Sequence, residues 1–184
     1  NIMKHFYEQD DVLYLARPIH SPPSVSHSHS FFEISYVKKG YRENIINGKL
    51  FPFQRGSCCI LRPQDTHYFR EKKNDSNSYE HIDIYVSQEK FEWLCNTLSP
   101  SLFTNLLKRT TPLMFYISNE LISTMNNRIN LLIAQNHAKE LLDAFHSSLI
   151  VDILTMYLEY IEINESIYPS WLQKMLLELN SIEF

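Results

Sequence analysis

At 184 residues, with 44% hydrophobic and 13% aromatic side chains against 21% charged ones, the chain is long enough for one domain with a genuine core, and its composition excludes disorder. The 17 basic residues against 21 acidic ones leave a net charge of -4, which excludes a phosphate-neutralising surface on this stretch of chain. Three cysteines, adjacent at Cys58 and Cys59 and alone at Cys95, fit neither a disulfide framework nor a paired-cysteine zinc site and read as reduced core thiols.

No apolar run approaches the ~20 residues needed to span a bilayer, and the N-terminus NIMKHFYEQDD lacks the apolar stretch of a signal peptide. A cytosolic protein without membrane contact is expected. Along the chain, Gly40, Gly48 and Gly56 mark the rhythm of short strands separated by turns. Strands are expected at EISYVKK, SCCILR and THYFRE. Between the first two, Asn47-Gly48 in IINGKL supplies the two positive φ values of a tight turn, which predicts a hairpin over 41–54. The polar loop KKNDSNS then leads to a last strand, YEHIDIYVS.

After Ser87 the period changes. SQEKFEWLCNTLS has a serine cap followed by Phe91, Leu94 and Cys95 at helical spacing, and SPSLFTNLL opens with a cap and a first-turn proline. A further helix is expected at ISNELISTMNNRINLL. The longest periodic signal runs from about Asn136 to Ile161, where Leu141, Leu142, Phe145, Leu149, Ile153, Met156 and Tyr160 form a stripe, widened by Leu154, Tyr157 and Leu158. It predicts a helix of about 35 Å or more at 1.5 Å per residue, paired with the preceding one as a helical hairpin. No internal repeat is visible. Strands first and helices after argue for the α+β class: a small barrel or sandwich with a helical appendage.

One cluster carries chemistry. In a strand, His27 and His29 share a face with Cα atoms about 6.6 Å apart, close enough to chelate one metal. Glu33 would lie ~13 Å away along a straight strand, so a shared site requires the chain to bend around Ser30 to Phe32. His67, after the Pro-x-Asp turn of RPQDTHYF, supplies a fourth group. Imidazoles with one carboxylate suit Zn, Fe, Mn, Ni or Cu, with positions left for water or ligand. The same groups equally suit hydrogen bonds to a sugar or to neighbouring carbonyls. No second acid-base or nucleophilic constellation accompanies them, so catalysis is not expected. In the last strand Tyr79, His81, Asp83 and Tyr85 share one face and Glu80, Ile82, Ile84 and Val86 the other, so His81 and Asp83 either line a cavity or meet water. Tyr36, Arg62, Tyr68 and Phe69 flank these motifs, and their aromatic faces and polar tips serve saccharide recognition or the core.

HSHSFFEISYVKKG resembles the first motif of the cupin barrels: His-x-His, Glu after three residues, Gly after six, with Ser21 where a glycine usually precedes it. GSCCILRPQDTH resembles the second motif, one residue shorter before its histidine and with Asp65 in place of glycine. That variant is similar to the sensor domains of AraC/XylS-type transcription regulators, in which enzymatic activity is absent. YPSWLQKMLLELNSIEF resembles the lead into their helix-turn-helix pair. The likeness covers essentially all 184 residues and is nearest to regulators that respond to oligosaccharides such as chitobiose.

The resemblance implies a cupin-type, jelly-roll-like antiparallel β-barrel over 1–97, an antiparallel helical dimerisation subdomain over 98–162 and the start of a linker over 163–184. It implies a homodimer whose seam draws on Leu141, Phe145, Leu149, Ile153, Met156 and Tyr160, although packing on the chain's own barrel explains the same stripe. The implied partners are a saccharide effector in the cavity, with or without a divalent metal, and DNA only through a C-terminal domain outside this sequence. In that case the gene continues for about one hundred residues with two basic helix-turn-helix units. The alternatives are a free-standing cupin metalloenzyme, such as a dioxygenase or sugar isomerase, and a carbohydrate-binding module without regulatory output.

Overall fold

The computed structural model describes residues 16–19, 23–70, 78–111, 113–133 and 139–166. The expected features at Ser21, in the loop over 72–77, at the onset of the long helix near Asn136 and over 168–184 lie outside the described residues. The described elements are β1 (Ala16–Ile19), β2 (Phe32–Lys39), β3 (Tyr41–Ile46), β4 (Lys49–Gln54), β5 (Ser57–Leu61), β6 (His67–Arg70), β7 (Glu80–Val86), α1 (Gln88–Leu98), α2 (Leu102–Lys108), β8 (Leu113–Tyr116), α3 (Asn119–Ile133) and α4 (Lys139–Ser166). One antiparallel sheet has the order β1-β7-β2-β5-β8 and the other β4-β3-β6. This is the expected α+β arrangement, a cupin-type barrel carrying helices.

The hairpin turns where the sequence places it: Asn47 and Gly48 take φ of 51° and 77°, and β3 pairs β4 from Tyr41↔Gln54 to Ile46↔Lys49. Two strands were not anticipated, β1 and β8. β8 follows α1 and α2 yet pairs with β5 from Ser57↔Tyr116 to Ile60↔Leu113, so an edge of the barrel sheet comes from within the helical segment.

The five-stranded sheet is covered on both faces. On one, Phe32, Ile34, Tyr36, Ile82, Ile84 and Val86 pack with Phe91, Phe103, Ile122, Leu149 and Ile153 of the helices. On the other, Val37, Cys59, Leu61 and Tyr79 meet Ile46, Phe53 and Phe69. Burial on both faces explains why β5 reads as a nearly continuous apolar run, and why even Glu33 and Ser35 of β2 are buried. Each large apolar side chain so covered contributes about 1.5–3 kcal/mol relative to exposure, so the sheet is the common floor of two cores.

α1 begins as predicted, with Ser87 Oγ accepting from Lys90 N at 3.3 Å. Ser99, expected to cap the next helix, instead ends α1 with its N–H on the Cys95 carbonyl, and α2 starts after Ser101 without a side-chain cap. α3 and α4 pack together through Arg128, which donates to Asp152 at 2.9 Å and lies over the Phe145 ring at 5.0 Å. On α4 the buried face is Leu142, Phe145, Leu149, Ile150, Ile153, Leu154 and Tyr157. Phe145, Leu149 and Ile153, expected at a dimer seam, are therefore taken up in the chain's own core, whereas Leu141 stays 49% exposed and Met156 and Tyr160 are only partly covered. The stretch Lys139–Ile161 is, by length and composition alone, apolar enough to cross a bilayer, where no such run was expected. Leu142, Leu149, Ile150, Ile153 and Leu154 within it are buried in the chain's own core, the pattern of a core helix.

Candidate metal and effector site

The chain bends at Ser30 and Phe31 just before β2. Upstream, His27 forms a two-bond bridge with His67, N to O at 3.1 Å and O to N at 2.9 Å, which lays the His27 segment along the start of β6. The bend then returns Glu33 to the same spot. His29 Nε2 lies 2.8 Å from Glu33 Oε2 and 2.9 Å from His67 Nε2, and His67 Nε2 lies 3.9 Å from Glu33 Oε2. Ring nitrogens of His27, His29 and His67 all fall within 4.8 Å of one another, a group that could hold a metal ion.

The donor set fits such an ion. His27 Nδ1 donates to the Val25 carbonyl at 2.9 Å, which leaves Nε2 its lone pair and fixes the ring as an outer-shell acceptor does for a ligand histidine. Tetrahedral bonds of about 2.1 Å place donors roughly 3.4 Å apart, so His29, His67 and Glu33 are already near that spacing and His27 needs only a small approach. Burial, together with the charge of Asp83, pushes the Glu33 carboxyl up, against the opposing pull of His29. Burial and the neighbouring imidazoles pull His67 down to about 3, so it presents a neutral ring. A neutral His67 ring and a carboxyl pushed above its ordinary range are groups that a divalent cation would draw into a ligand set, displacing any proton the carboxyl holds.

Deeper in the barrel, β2 and β7 align Ser35 with Asp83 and Val37 with His81. Ser35 Oγ lies 2.5 Å from Asp83 Oδ1 and 3.0 Å from Glu33 Oε1, and His81 Nε2 lies 3.0 Å from Asp83 Oδ1. Burial would raise Asp83, but His81 and Ser35 outweigh it and hold the carboxyl below its ordinary range. Glu33 and Asp83 are thus driven in opposite directions by their surroundings. His81 and Asp83 face the barrel interior, and the Phe69 ring stacks on His81 at 5.1 Å and 23°.

Three other expected ligand contacts point elsewhere. Tyr36 is on the helix side, its hydroxyl donating to Asn126 Oδ1 on α3 at 3.1 Å. Arg62 is consumed by structure: its Nε and Nη2 donate to Asp65 at 2.9 and 2.8 Å, and its Nη1 to the Arg109 carbonyl at 2.5 Å. Tyr68, between inward His67 and Phe69 on β6, is half-buried on the opposite face. Asp65, where the cupin motif has glycine, also accepts from Arg62 N at 2.9 Å and Asn47 Nδ2 at 2.7 Å, tying the turn to the hairpin. The sequence reading missed Ser35 and Phe31. Ser35 follows from the period of two after Glu33. Phe31 stacks on His29 at 4.7 Å and meets the Tyr85 ring edge-on at 5.1 Å, a contact only the bend creates.

Residues 20–149 match the family model for the AraC-like ligand binding domain. Among solved structures, an apo lysine-to-alanine variant of ToxT from Vibrio cholerae strain SCE256 is similar at a TM-score of 0.58 and 10% identity, over 92% of this chain and 76% of that one. Wild-type ToxT from the same strain, with unsaturated fatty acid bound, gives a TM-score of 0.51 at 10% identity, over 80% of this chain and 54% of that one. At such identity the likeness speaks of the fold. No curated protein matches the chain.

Proposed function

Since the chain belongs to the AraC-like ligand-binding domain family, we propose that it is the effector-sensing and dimerising part of an AraC/XylS-type transcription regulator, with DNA contacted through a C-terminal helix-turn-helix domain outside this sequence. One observation carries the reading: β2 and β7 present Glu33, Ser35, His81 and Asp83 to the barrel interior while their other faces hold α1, α3 and α4. A ligand that acts on one face of these strands acts on the floor of the helices. The effector we assign is a small molecule of saccharide type. A divalent ion, where present, is held by His27, His29, Glu33 and His67 and offers a Lewis-acid anchor to an effector oxygen.

In this reading the barrel over 1–97, completed at one edge by β8, senses, the helices within 98–162 dimerise and 163–184 begins the linker, in a cytoplasmic, non-enzymatic homodimer. Its seam uses what the core leaves uncovered, Leu141 on α4 and Leu131 on α3, the latter 67% exposed. Effector binding shifts the balance between dimer geometries only by the difference in its affinity for them. The test is the complete gene product on DNA upstream of its own gene, with and without saccharides and Zn2+ or Ni2+. An effector-dependent change in DNA affinity or half-site spacing is expected, and DNA binding indifferent to every effector would count against the reading. The histidine cluster favours one alternative, a cupin metalloenzyme, which requires turnover by the metal-loaded protein that disappears in His27→Ala.

A further inference from the structure

Inside the barrel, among the described residues, both amide atoms of Asn44, the Tyr79 hydroxyl and Nδ1 of His81 are buried without a hydrogen-bond partner. All three residues are deeply buried, at 0%, 2% and 1% exposure. They share one neighbour. Asn44 stands opposite Phe69 in the β3–β6 register, and the His81 and Tyr79 rings lie 5.1 and 6.3 Å from that of Phe69. Groups in that condition keep the full cost of leaving water. An interior shaped for stability alone would place leucine and phenylalanine at these positions, with almost the same volume and no such cost.

Their chemistry describes what they await. Asn44 offers an acceptor and two donors, and the Tyr79 hydroxyl one of each. His81 has Nε2 committed to Asp83, which leaves Nδ1 for another partner. Asn44 and Tyr79 are uncharged, and the fixed charge beside His81 is the Asp83 carboxylate, which opposes an anion. The Arg42 guanidinium lies over the Tyr79 ring at 4.9 Å and donates to the Tyr41 carbonyl at 2.9 Å. Around them Phe53, Phe69, Val37 and Ile46 give apolar and aromatic faces.

Building on the effector-sensing reading above, we infer that Asn44, Tyr79 and His81 form the polar floor of the effector site, and that it takes an uncharged, hydroxyl-bearing ligand and rejects carboxylates. Two near-isosteric variants test this, Asn44→Leu and Tyr79→Phe. Without ligand, each is expected to melt at or above the wild-type temperature, because each deletes an unpaired buried group. Both melting well below wild type would mean that these groups are already satisfied by buried water as part of the framework, and would overturn the inference.

The ligand arm uses matched probes followed by calorimetry: glucose against glucuronate, galactose against galacturonate, N-acetylglucosamine, and oleyl alcohol against oleate. Neutral members are expected to bind and their acids not to, with a tenfold or larger loss of affinity in Asn44→Leu. The sugar and alcohol arms separate the two sources of a neutral hydroxyl. Preference for an acid, binding untouched by both variants, or no binding of any neutral probe overturns the inference. A neutral ligand that binds here yet leaves DNA binding unchanged sinks the regulator reading alone, and an effector that alters DNA binding regardless of both variants sinks this one alone.

Discussion

His29 Nε2 lies 2.8 Å from Glu33 Oε2, across four residues that a straight strand would spread over ~13 Å. The bend that closes this gap creates the four-donor cluster, and it makes divalent metal the first quantity to measure. Zn2+ or Ni2+ is expected to stabilise the fold by about 2.7 kcal/mol at one hundred times the dissociation constant, read as a rise in melting temperature. Glu33→Gln and His67→Ala should each weaken binding in a calorimetric titration. Because the carboxyl is held above its ordinary range and must lose its proton to bind, affinity should fall as pH drops through that raised value. Equal affinity in wild type and both variants would remove the cluster as a metal site.

Asp65→Ala should be among the most damaging single changes in the barrel. It strips three bonds from Arg62 and one from Asn47, and strands a guanidinium in a residue only 8% exposed. Breaking a buried pair on one side costs about 3–5 kcal/mol, readable in urea unfolding. Burial alone would raise Asp65, but Arg62 and the Asn47 amide outweigh it and hold it low. Its contribution is therefore complete above the ordinary carboxylate range and fades as acid protonates the native state.

Gly40 and Gly48 both have positive φ, 79° and 77°, but a Cβ meets different surroundings at each. At Gly48 nothing lies within 4 Å, so Gly48→Ala should cost only the backbone preference, about 1 kcal/mol. At Gly40 the new carbon would sit 2.9 Å from the Ser78 carbonyl oxygen and 2.9 Å from Tyr79 Cα, which are backbone and cannot swing aside. Gly40→Ala should cost about 3 kcal/mol and disturb Tyr79 in the barrel floor. Thermal unfolding of the two variants side by side decides it.

His146 on α4 bridges the barrel and α1: its Nε2 donates to the Tyr85 carbonyl at 2.8 Å and its Nδ1 accepts from Lys90 Nζ at 3.0 Å. Burial and the Lys90 charge pull it down to about 4. The unfolded chain, titrating near 6.5, then binds more protons than the native state between these values, so stability rises with pH across the window and is lost as pH falls from 6.5 toward 4. The loss amounts to about 3 kcal/mol. His146→Gln keeps a donor and an acceptor without the titration, and its unfolding free energy should vary less steeply from pH 6.5 to 4. An unchanged slope would show that the imidazole titrates alike in both states.

If the proposed homodimer forms through α4, Leu141→Asp should leave the fold intact and shift sedimentation toward monomer, whereas Leu149→Asp should unfold the chain; a wild-type chain that sediments as a monomer at high concentration would remove the dimer. Leu141 is 49% exposed and Leu149 is fully buried. A Leu141→Asp variant that associates as wild type does would place the seam elsewhere.

Much of this architecture was legible in local signals. Asn47-Gly48 announced the hairpin because few residue pairs tolerate two positive φ values, and Ser87 announced α1 because a serine oxygen satisfies a free helix N–H. Alternation along β7 separated inward His81 and Asp83, in phase with the preceding Tyr79, from outward Ile82 and Ile84, but it did not say which side was water, since that depends on what packs there. β8 escaped notice because four residues between helices carry little periodicity, and its strand character comes from pairing with β5.

By itself, then, the sequence determined the placement of β2 through β7 and of the periodic helical stretches, the bend requirement and the candidate metal-type donors, because these follow from side-chain type and short-range spacing. Tertiary structure decided direction. It turned Tyr36 to α3, tied Arg62 to Asp65 and to the Arg109 carbonyl, sank most of the α4 stripe into the core, and gathered Asn44, Tyr79 and His81 around Phe69. Each of these outcomes depends on contacts between residues far apart in the chain, and only the closing of the described sheets and helices on one another chooses among them.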